Sequence, residues 1–327
     1  MKSTLILGLV VCSGSLALAQ NAAVQQSTIQ QSQFKLENAS KEAQSAEKKK
    51  KVLIEPESED LGRQVLLEPT RKRPIFMAAV SQQYGYTDNA FLSDEKNTTP
   101  TPKIGSGLLT SNFFLEGYVP LPDAWNSLTV AVNLQETLYR YDNGPAQLLN
   151  FDRDALGLNV NYNFRNDWLF GAGYTISQLR STDQNINEFY HEGNVQYSAL
   201  KLFTINPDNL VFVGYSGEYH HATPGTFSRA DNSIVVGYNR QLMPRLVGQI
   251  VYKGMAEIYA QDSPNAFGVL EERNDWNNLV SLSFTYNPTD WCSLRIAGTY
   301  NTNNSTAQGR DYENFQAGAD LGLTLKY

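Results

Sequence analysis

From Ile75 to the end, apolar and polar residues alternate along the chain. Leu156, Leu158, Val160, Tyr162 and Phe164 are set against Gly157, Asn159, Asn161 and Asn163, and Val280, Leu282, Phe284 and Tyr286 against Ser281, Ser283, Thr285 and Asn287. Successive side chains of a strand point to opposite sides, so each stretch carries one oily face and one face of amides and hydroxyls. Twelve such stretches are centred on Ile75–Tyr86, Leu108–Val119, Leu128–Tyr141, Ala155–Phe164, Trp168–Arg180, Tyr190–Phe203, Leu210–His220, Ser233–Leu242, Leu246–Tyr259, Asn278–Tyr286, Cys292–Thr302 and Phe315–Tyr327.

The connections sort themselves. Short ones (Pro120–Asn126, Arg165–Asp167, Asn206–Asn209, Met243–Arg245, Asn287–Asp290) alternate with long ones (Thr87–Gly107, Asp142–Asp154, Ser181–Glu188, His221–Asn232, Ala260–Asn277, Asn303–Asn314). A soluble sandwich has no reason to do this. A barrel inserted from the periplasm keeps tight turns inside and long loops outside, with both termini in the periplasm when the strand number is even. The predicted fold is therefore all-β, an antiparallel up-and-down transmembrane barrel of about twelve strands. No apolar run downstream of the N-terminus reaches the roughly twenty residues of a membrane helix.

Aromatic residues gather at both ends of these strands. Trp125, Phe164, Trp168, Phe203, Tyr286, Trp291 and Tyr327 lie beside the short turns, and Tyr86, Tyr139, Tyr141, Tyr190, Tyr219, Tyr259 and Tyr300 beside the long loops. Amphipathic rings favour membrane interfaces, so Trp125, Trp168, Trp291 and Tyr327 are read as anchors of one girdle and the tyrosines as the other. The closing strand ends on an aromatic preceded by alternating hydrophobics. That ending resembles the closing strand of bacterial outer-membrane barrels, which use it as an assembly signal, and the resemblance implies a meeting with the barrel-assembly machinery.

Upstream, Met1-Lys2, an apolar run Leu5–Val11 and the small-x-small Ala17-Leu-Ala19 make residues 1–19 a secretory signal. Residues 20–73 are rich in Gln, Glu, Lys, Ser and Ala, with a single aromatic, Phe34. This composition cannot build a core and reads as a disordered or partly helical periplasmic segment, a tether to a periplasmic or cell-wall partner, or a plug. It carries ten basic and eight acidic residues, which together with export disfavours nucleic acid. Residues 74–327 form the barrel, with 15 basic and 25 acidic residues and a net charge of about −10. Its surroundings are outer-membrane lipid and lipopolysaccharide, and its place the cell outer membrane. Of the two cysteines only Cys292 follows the signal, so no intrachain disulfide is available.

Function then rests on the inward face. The alternation assigns it Asn133, Gln135, Asn159, Asn161, Asn163, Asn194, Gln196, Ser281, Ser283 and Thr285, with few and balanced charges, among them Glu116 and Asp320 against Lys253 and Arg295. A largely neutral polar lining suits a narrow passive channel for small hydrophilic, neutral or weakly charged solutes, saccharides included. The main alternative is a structural or surface-interaction barrel without an open pore, and a distant one an outer-membrane lipid hydrolase. For the last, His221-Ala-Thr223 beside Glu218 is the nearest approach to a histidine and hydroxyl pair, and it lacks an oriented base. No metal-ligand spacing, phosphate loop or paired glycosidase-like carboxylates are found, so neither cofactor nor catalysis is expected.

The segment Tyr86-Thr-Asp88-Asn89-Ala-Phe91-Leu92 follows the first strand and opens a long Pro/Thr-rich loop. It resembles the Tyr-x-Asp-Asn-x-Phe-Leu segment of the β-barrel porin family of Gram-negative outer membranes, a group that includes exopolysaccharide-associated barrels. The resemblance covers these seven residues and the layout of residues 75–327, and implies an outer-membrane barrel with a pore or polysaccharide-related role and no catalytic residues. Asp88 and Asn89 also have a local explanation, since both residue types favour turns. The segment 20–73 departs from the family pattern.

Overall fold

The computed structural model describes residues 75–94, 103–122, 125, 127–165, 167–182, 190–267 and 269–327. The export signal and the segment 20–73 lie outside the described residues. The strands are β1 (Phe76–Thr87), β2 (Ser106–Tyr118), β3 (Leu128–Tyr141), β4 (Phe151–Phe164), β5 (Trp168–Ser181), β6 (Tyr190–Asn206), β7 (Asn209–Thr223), β8 (Arg229–Met243), β9 (Leu246–Tyr259), β10 (Ser263–Pro264), β11 (Leu270–Glu271), β12 (Asn274–Tyr286), β13 (Cys292–Ser305) and β14 (Tyr312–Lys326). Twelve of them close into one antiparallel barrel in the order β1-β14-β13-β12-β9-β8-β7-β6-β5-β4-β3-β2. β10 and β11 form a separate two-stranded ribbon within the β9–β12 connection, an element the alternation does not announce.

Closure happens between the first and last strands. Met77 stands opposite Lys326 and Thr87 opposite Gln316, in unbroken register. At the base of the seam the Tyr327 carbonyl accepts from Ile75 N at 2.7 Å and Phe76 N at 3.1 Å, while Tyr327 N donates to the Phe76 carbonyl. Every edge is thereby paired, which lipid demands because it offers no hydrogen bonds to an open strand.

The register sorts the side chains as lipid and water would. Val80, Leu134, Leu158, Ile176, Tyr197, Ile250, Leu282, Ile296 and Leu323 are exposed on the outside. Tyrosine rings on this wall lie over glycines of the next strand: a Cβ on Gly193 would meet the Tyr174 hydroxyl at 2.6 Å, and one on Gly217 the Tyr197 ring at 2.3 Å. The glycines make room for rings whose hydroxyls reach toward the polar rim, as Tyr215 does to Asn232 at 2.6 Å and Tyr252 to Asn278 at 2.9 Å.

Several strands run further toward the long loops than the apolar alternation predicts. β4 starts at Phe151, β8 at Arg229, β12 at Asn274 and β14 at Tyr312, while β7 continues to Thr223 and β13 to Ser305. Strands of 12 to 17 residues exceed the roughly 9–11 that a tilted crossing requires. On β4, β8 and β12 these extensions carry inward charges, Arg153, Arg229, Asp231 and Asp275, and an apolar count stops where polar residues begin.

Candidate functional site: a polar lumen with a packed long-loop end

Inward positions on β2 to β6 are filled by amides placed against small neighbours. The Asn133 side chain lies over Gly157, whose Cβ would meet its Oδ1 at 2.6 Å, and Asn159 and Gln196 share the space over Gly173. Gln196 donates to Asn159 Oδ1 at 3.0 Å, Gln135 to Asn112 Oδ1 at 2.9 Å, and Asn194 to Glu218 at 2.8 Å. A glycine opposite Asn133, Asn159 and Gln196 leaves room for each to lie along the wall, whereas Gln135 stands between Phe114 and Ala155 and Asn194 between Thr175 and His220.

The remaining polar-face residues fall as follows. Asn161 and Asn163 share the inward face of β4 with Asn159, Asn161 being exposed. Ser281, Ser283 and Thr285 face inward on β12, with Thr299 donating to Ser281 at 3.3 Å. Glu116 is opposite Asn133, Arg295 opposite Asp320, and Lys253 opposite Leu279. Between β13, β14, β1 and β2 the inner wall keeps a small cavity of about 30 Å³ lined by Gln83, Thr110, Arg295, Thr299 and Gln316. Trp125 and Trp291 lie exposed at the short-turn end, Tyr327 is more exposed still, and half-buried Trp168 stacks on Phe170 on the outer wall.

The inward face is not uniformly polar. Leu200, Leu202, Leu210, Phe212, Val235 and Val251 form a buried apolar cluster on β6 to β9. Nor is it as sparsely charged as the sequence reading holds. Toward the long loops it carries a buried ionic knot. The His220 ring sits between two carboxylates, Nδ1 2.9 Å from Glu192 and Nε2 2.9 Å from Asp231. Arg229 meets Asp231 at 3.0 Å and approaches Glu257 at 3.6 Å. Arg273 holds Asp275 with its Nε 2.9 Å from Oδ2, and lies 4.4 Å from the centroid of the Tyr259 ring. Tyr190 donates to Glu192 at 2.7 Å and Asn277 to Glu257 at 2.6 Å, so every carboxylate has partners. Opposite charges and hydrogen bonds are what permit such burial. The signal was present in the chain: Arg229-Ala-Asp231 and Arg273-Asn-Asp275 repeat a spacing that sets a cation and an anion on one face of a strand.

Four tyrosines assigned to the long-loop girdle belong to this interior instead. Tyr139, Tyr141, Tyr190 and Tyr259 are buried, whereas Tyr86, Tyr219 and Tyr300 are exposed. The strand parity of the four is inward, and nearness to a loop does not override parity. Tyr139 stacks on Phe151 at 4.2 Å and Tyr190 meets Phe227 edge-on at 5.7 Å. Together with Ala90, Leu108, Ala146, Leu149, Leu179 and Ala222 they make a small core across the long-loop end.

Loop residues add to this packing. In the β1–β2 connection Asn89, Ala90, Leu92, Ser93 and Asp94 are all buried. Ala90 belongs to the aromatic core, while Leu92 packs on Leu279 of β12 and Tyr312 of β14. Asn89 ties the turn: its Oδ1 accepts from Ser93 N, and its Nδ2 donates to the carbonyls of Ser93 and Glu313, all at 2.9 Å. Leu92 sits at φ 53°, a left-handed conformation costing a branched residue about 1 kcal/mol or more. The seven-residue motif is thus an inward-folded turn and not a surface loop. Elsewhere Arg310 donates to the carbonyls of Pro264 at 2.6 Å and Asn265 at 3.2 Å, pinning the β9–β12 ribbon. Burial and the nearby Arg273 guanidinium lower the Arg310 pKa from its ordinary value. Outside the wall, the Tyr84 hydroxyl, with help from Gly107 N–H and Ser106, holds the Asp142 carboxyl below the usual carboxylate range.

The hydrolase sketch is split between the two faces. His221 and Thr223 point outward at the end of β7, and Glu218 points inward. His220 has both ring nitrogens against carboxylates, an arrangement for burying charge, not for activating a hydroxyl.

A closed sheet whose outer face exposes leucines, isoleucines and tyrosines all the way round, over an inner face of amides and paired charges, is stable only with lipid outside. The chain is an outer-membrane β-barrel. No family model matches the barrel and no curated protein does. Among solved structures it resembles an outer membrane channel from Pseudomonas putida F1, with TM-score 0.53 and 11% identity over 79% of this chain and 100% of that one. A bacterial polysaccharide outer membrane secretin (TM-score 0.44, 8% identity, 76% of this chain and 98% of that one) is also similar. So is LpxR from Salmonella typhimurium (TM-score 0.44, 10% identity, 74% and 99%). At such identities the likeness is one of fold.

Proposed function

We propose that the barrel is a channel for small hydrophilic solutes, neutral or weakly charged and including saccharides. The observation that carries this reading is the amide and hydroxyl lining from Asn163 and Thr285 up to the ionic knot, with glycines set to keep the amides against the wall. Amides and hydroxyls exchange hydrogen bonds with sugar hydroxyls at little net cost, and balanced charges favour neither ion sign. Partners follow from place: lipopolysaccharide and lipid around the belt, the assembly machinery at the closing strand, and a periplasmic or cell-wall partner for residues 20–73.

The filled long-loop end favours a second reading, a structural or surface-interaction barrel without a permanent pore. Planar-bilayer recording and liposome swelling with neutral sugars separate the two. Conductance steps and sugar uptake are expected. Silence both with and without residues 20–73 would overturn the channel.

A further inference from the structure

Two successive inward positions of β5 are glycine, Gly171 and Gly173, a pairing that no other barrel strand repeats among the described residues. In the register Asn161 and Ser198 flank Gly171 from β4 and β6, and Asn159 and Gln196 flank Gly173. Their polar ends converge over the glycines. A Cβ on Gly171 would lie 2.7 Å from Ser198 Oγ and 3.2 Å from Asn161 Oδ1, and one on Gly173 2.6 Å from Asn159 Oδ1 and 2.7 Å from Gln196 Nε2. The glycines thus floor a flat polar pad. Within it Gln196 donates to Asn159 Oδ1. The Asn159 amino group, the Gln196 carbonyl and the side chains of Asn161 and Ser198 are left unpaired among the described residues.

The pad is also where solvent reaches the inner wall. Asn161 and Ser198 are exposed and Asn159 and Gln196 half-buried. On β8 from Arg229 to Asn239, on β9 from Val251 to Tyr259 and on β12 from Asp275 to Ser283, by contrast, every inward position is buried. The lumen is therefore eccentric, packed against β8, β9 and β12 and open against β4 to β6. Ser281 and Ser283, which the alternation reads as lining, are buried on the packed side.

We propose that this pad is a saccharide-binding site on the solute path, an inference that rests on the channel reading above. A primary amide carries an acceptor and a donor on one carbon, which matches neighbouring hydroxyls of a sugar ring. The two glycines lie two residues apart on a strand, about 6.6 Å, close to the width of a pyranose with its hydroxyls. All four flanking side chains are uncharged, so a neutral ring displaces water without stripping an ion. The glycine floor lets that ring lie against the wall.

The test is maltotriose binding to the full exported chain purified in detergent, read by saturation-transfer NMR, beside single-channel recording of the same preparation. Heat-modifiable migration establishes that each variant is folded. Maltotriose is expected to bind and to interrupt the current, and a polyethylene glycol of similar size, which has ether acceptors along its length, to do neither. Replacing Asn159 and Gln196 together with leucine is expected to weaken maltotriose about tenfold. Gly171→Val, whose new side chain meets only the ends of Ser198 and Asn161, serves if the double variant does not fold. Ala172→Leu, on the outer face between the two glycines, is expected to leave binding unchanged. In a Cys292→Ser background a water-soluble thiol reagent is expected to modify S198C and spare V251C, read as a mass shift. A conducting barrel that does not bind maltotriose, or binds it equally in all variants, would overturn the pad and leave the channel standing. Binding that is lost in the double variant of a silent barrel would overturn the channel and uphold the pad.

Discussion

Gly85 and Gly318 stand opposite each other in the seam that closes the barrel, so close that a Cβ on Gly318 would lie 2.8 Å from the Gly85 Cα. The reverse addition meets the Ala317 carbonyl at 2.7 Å. Both obstacles are backbone, so they cannot swing aside. Gly318→Val is expected to prevent closure and abolish the heat-modifiable form, while Gly298→Val on β13, where the nearest atoms lie at 3.9 Å, leaves it intact. Equal folded yields from the two would refute this account of the seam.

The two faces make opposite demands on a lysine. Leu323 is exposed on the outer wall and Thr324 faces inward on the same strand. A lysine facing lipid costs about 2–4 kcal/mol at mid-membrane and far less in a wet interior. Leu323→Lys should therefore impair assembly without blocking export, and Thr324→Lys should be tolerated, as outer-membrane yield against periplasmic precursor would report.

Arg273 and Asp275 are fully buried as side chains. Removing one member strands the other, which costs about 3–5 kcal/mol, whereas replacing both with apolar groups of similar size is close to neutral. Asp275→Leu is expected to destabilise the folded barrel in denaturant titration, and the double variant Arg273→Met with Asp275→Leu to recover most of the loss. Additive losses would mean the pair is not the source of the stability.

The lumen itself is probed at Asn161, exposed on the inner face of β4, with its neighbour Val160 on the outer face. Asn161→Trp should reduce the unitary conductance, and Val160→Trp should leave it unchanged. Identical conductance in both would place the solute path elsewhere.

What the chain states by itself, it states through period two. Lipid outside and water inside impose one alternation on every strand, so Leu156 to Phe164 reveal both the strand and its faces without reference to any other residue. Loop lengths sort with the same economy, because short and long connections follow from which side the chain enters. The local pattern thus determined a barrel, its closing strand and which side chains share a face. It did not determine the long-loop end. Arg229, Asp231 and Asp275 read as loop charges until Glu257 and His220 are placed across from them, and Asn89 reads as a turn residue until the Glu313 carbonyl, 224 positions away, meets its amide. Burying a charge or folding a loop inward depends on partners brought together only by closure of the barrel. For that reason the tertiary structure alone decided that side chains pack together at the long-loop end, that four tyrosines leave the membrane girdle for the interior, and that the Asn89 turn folds inward.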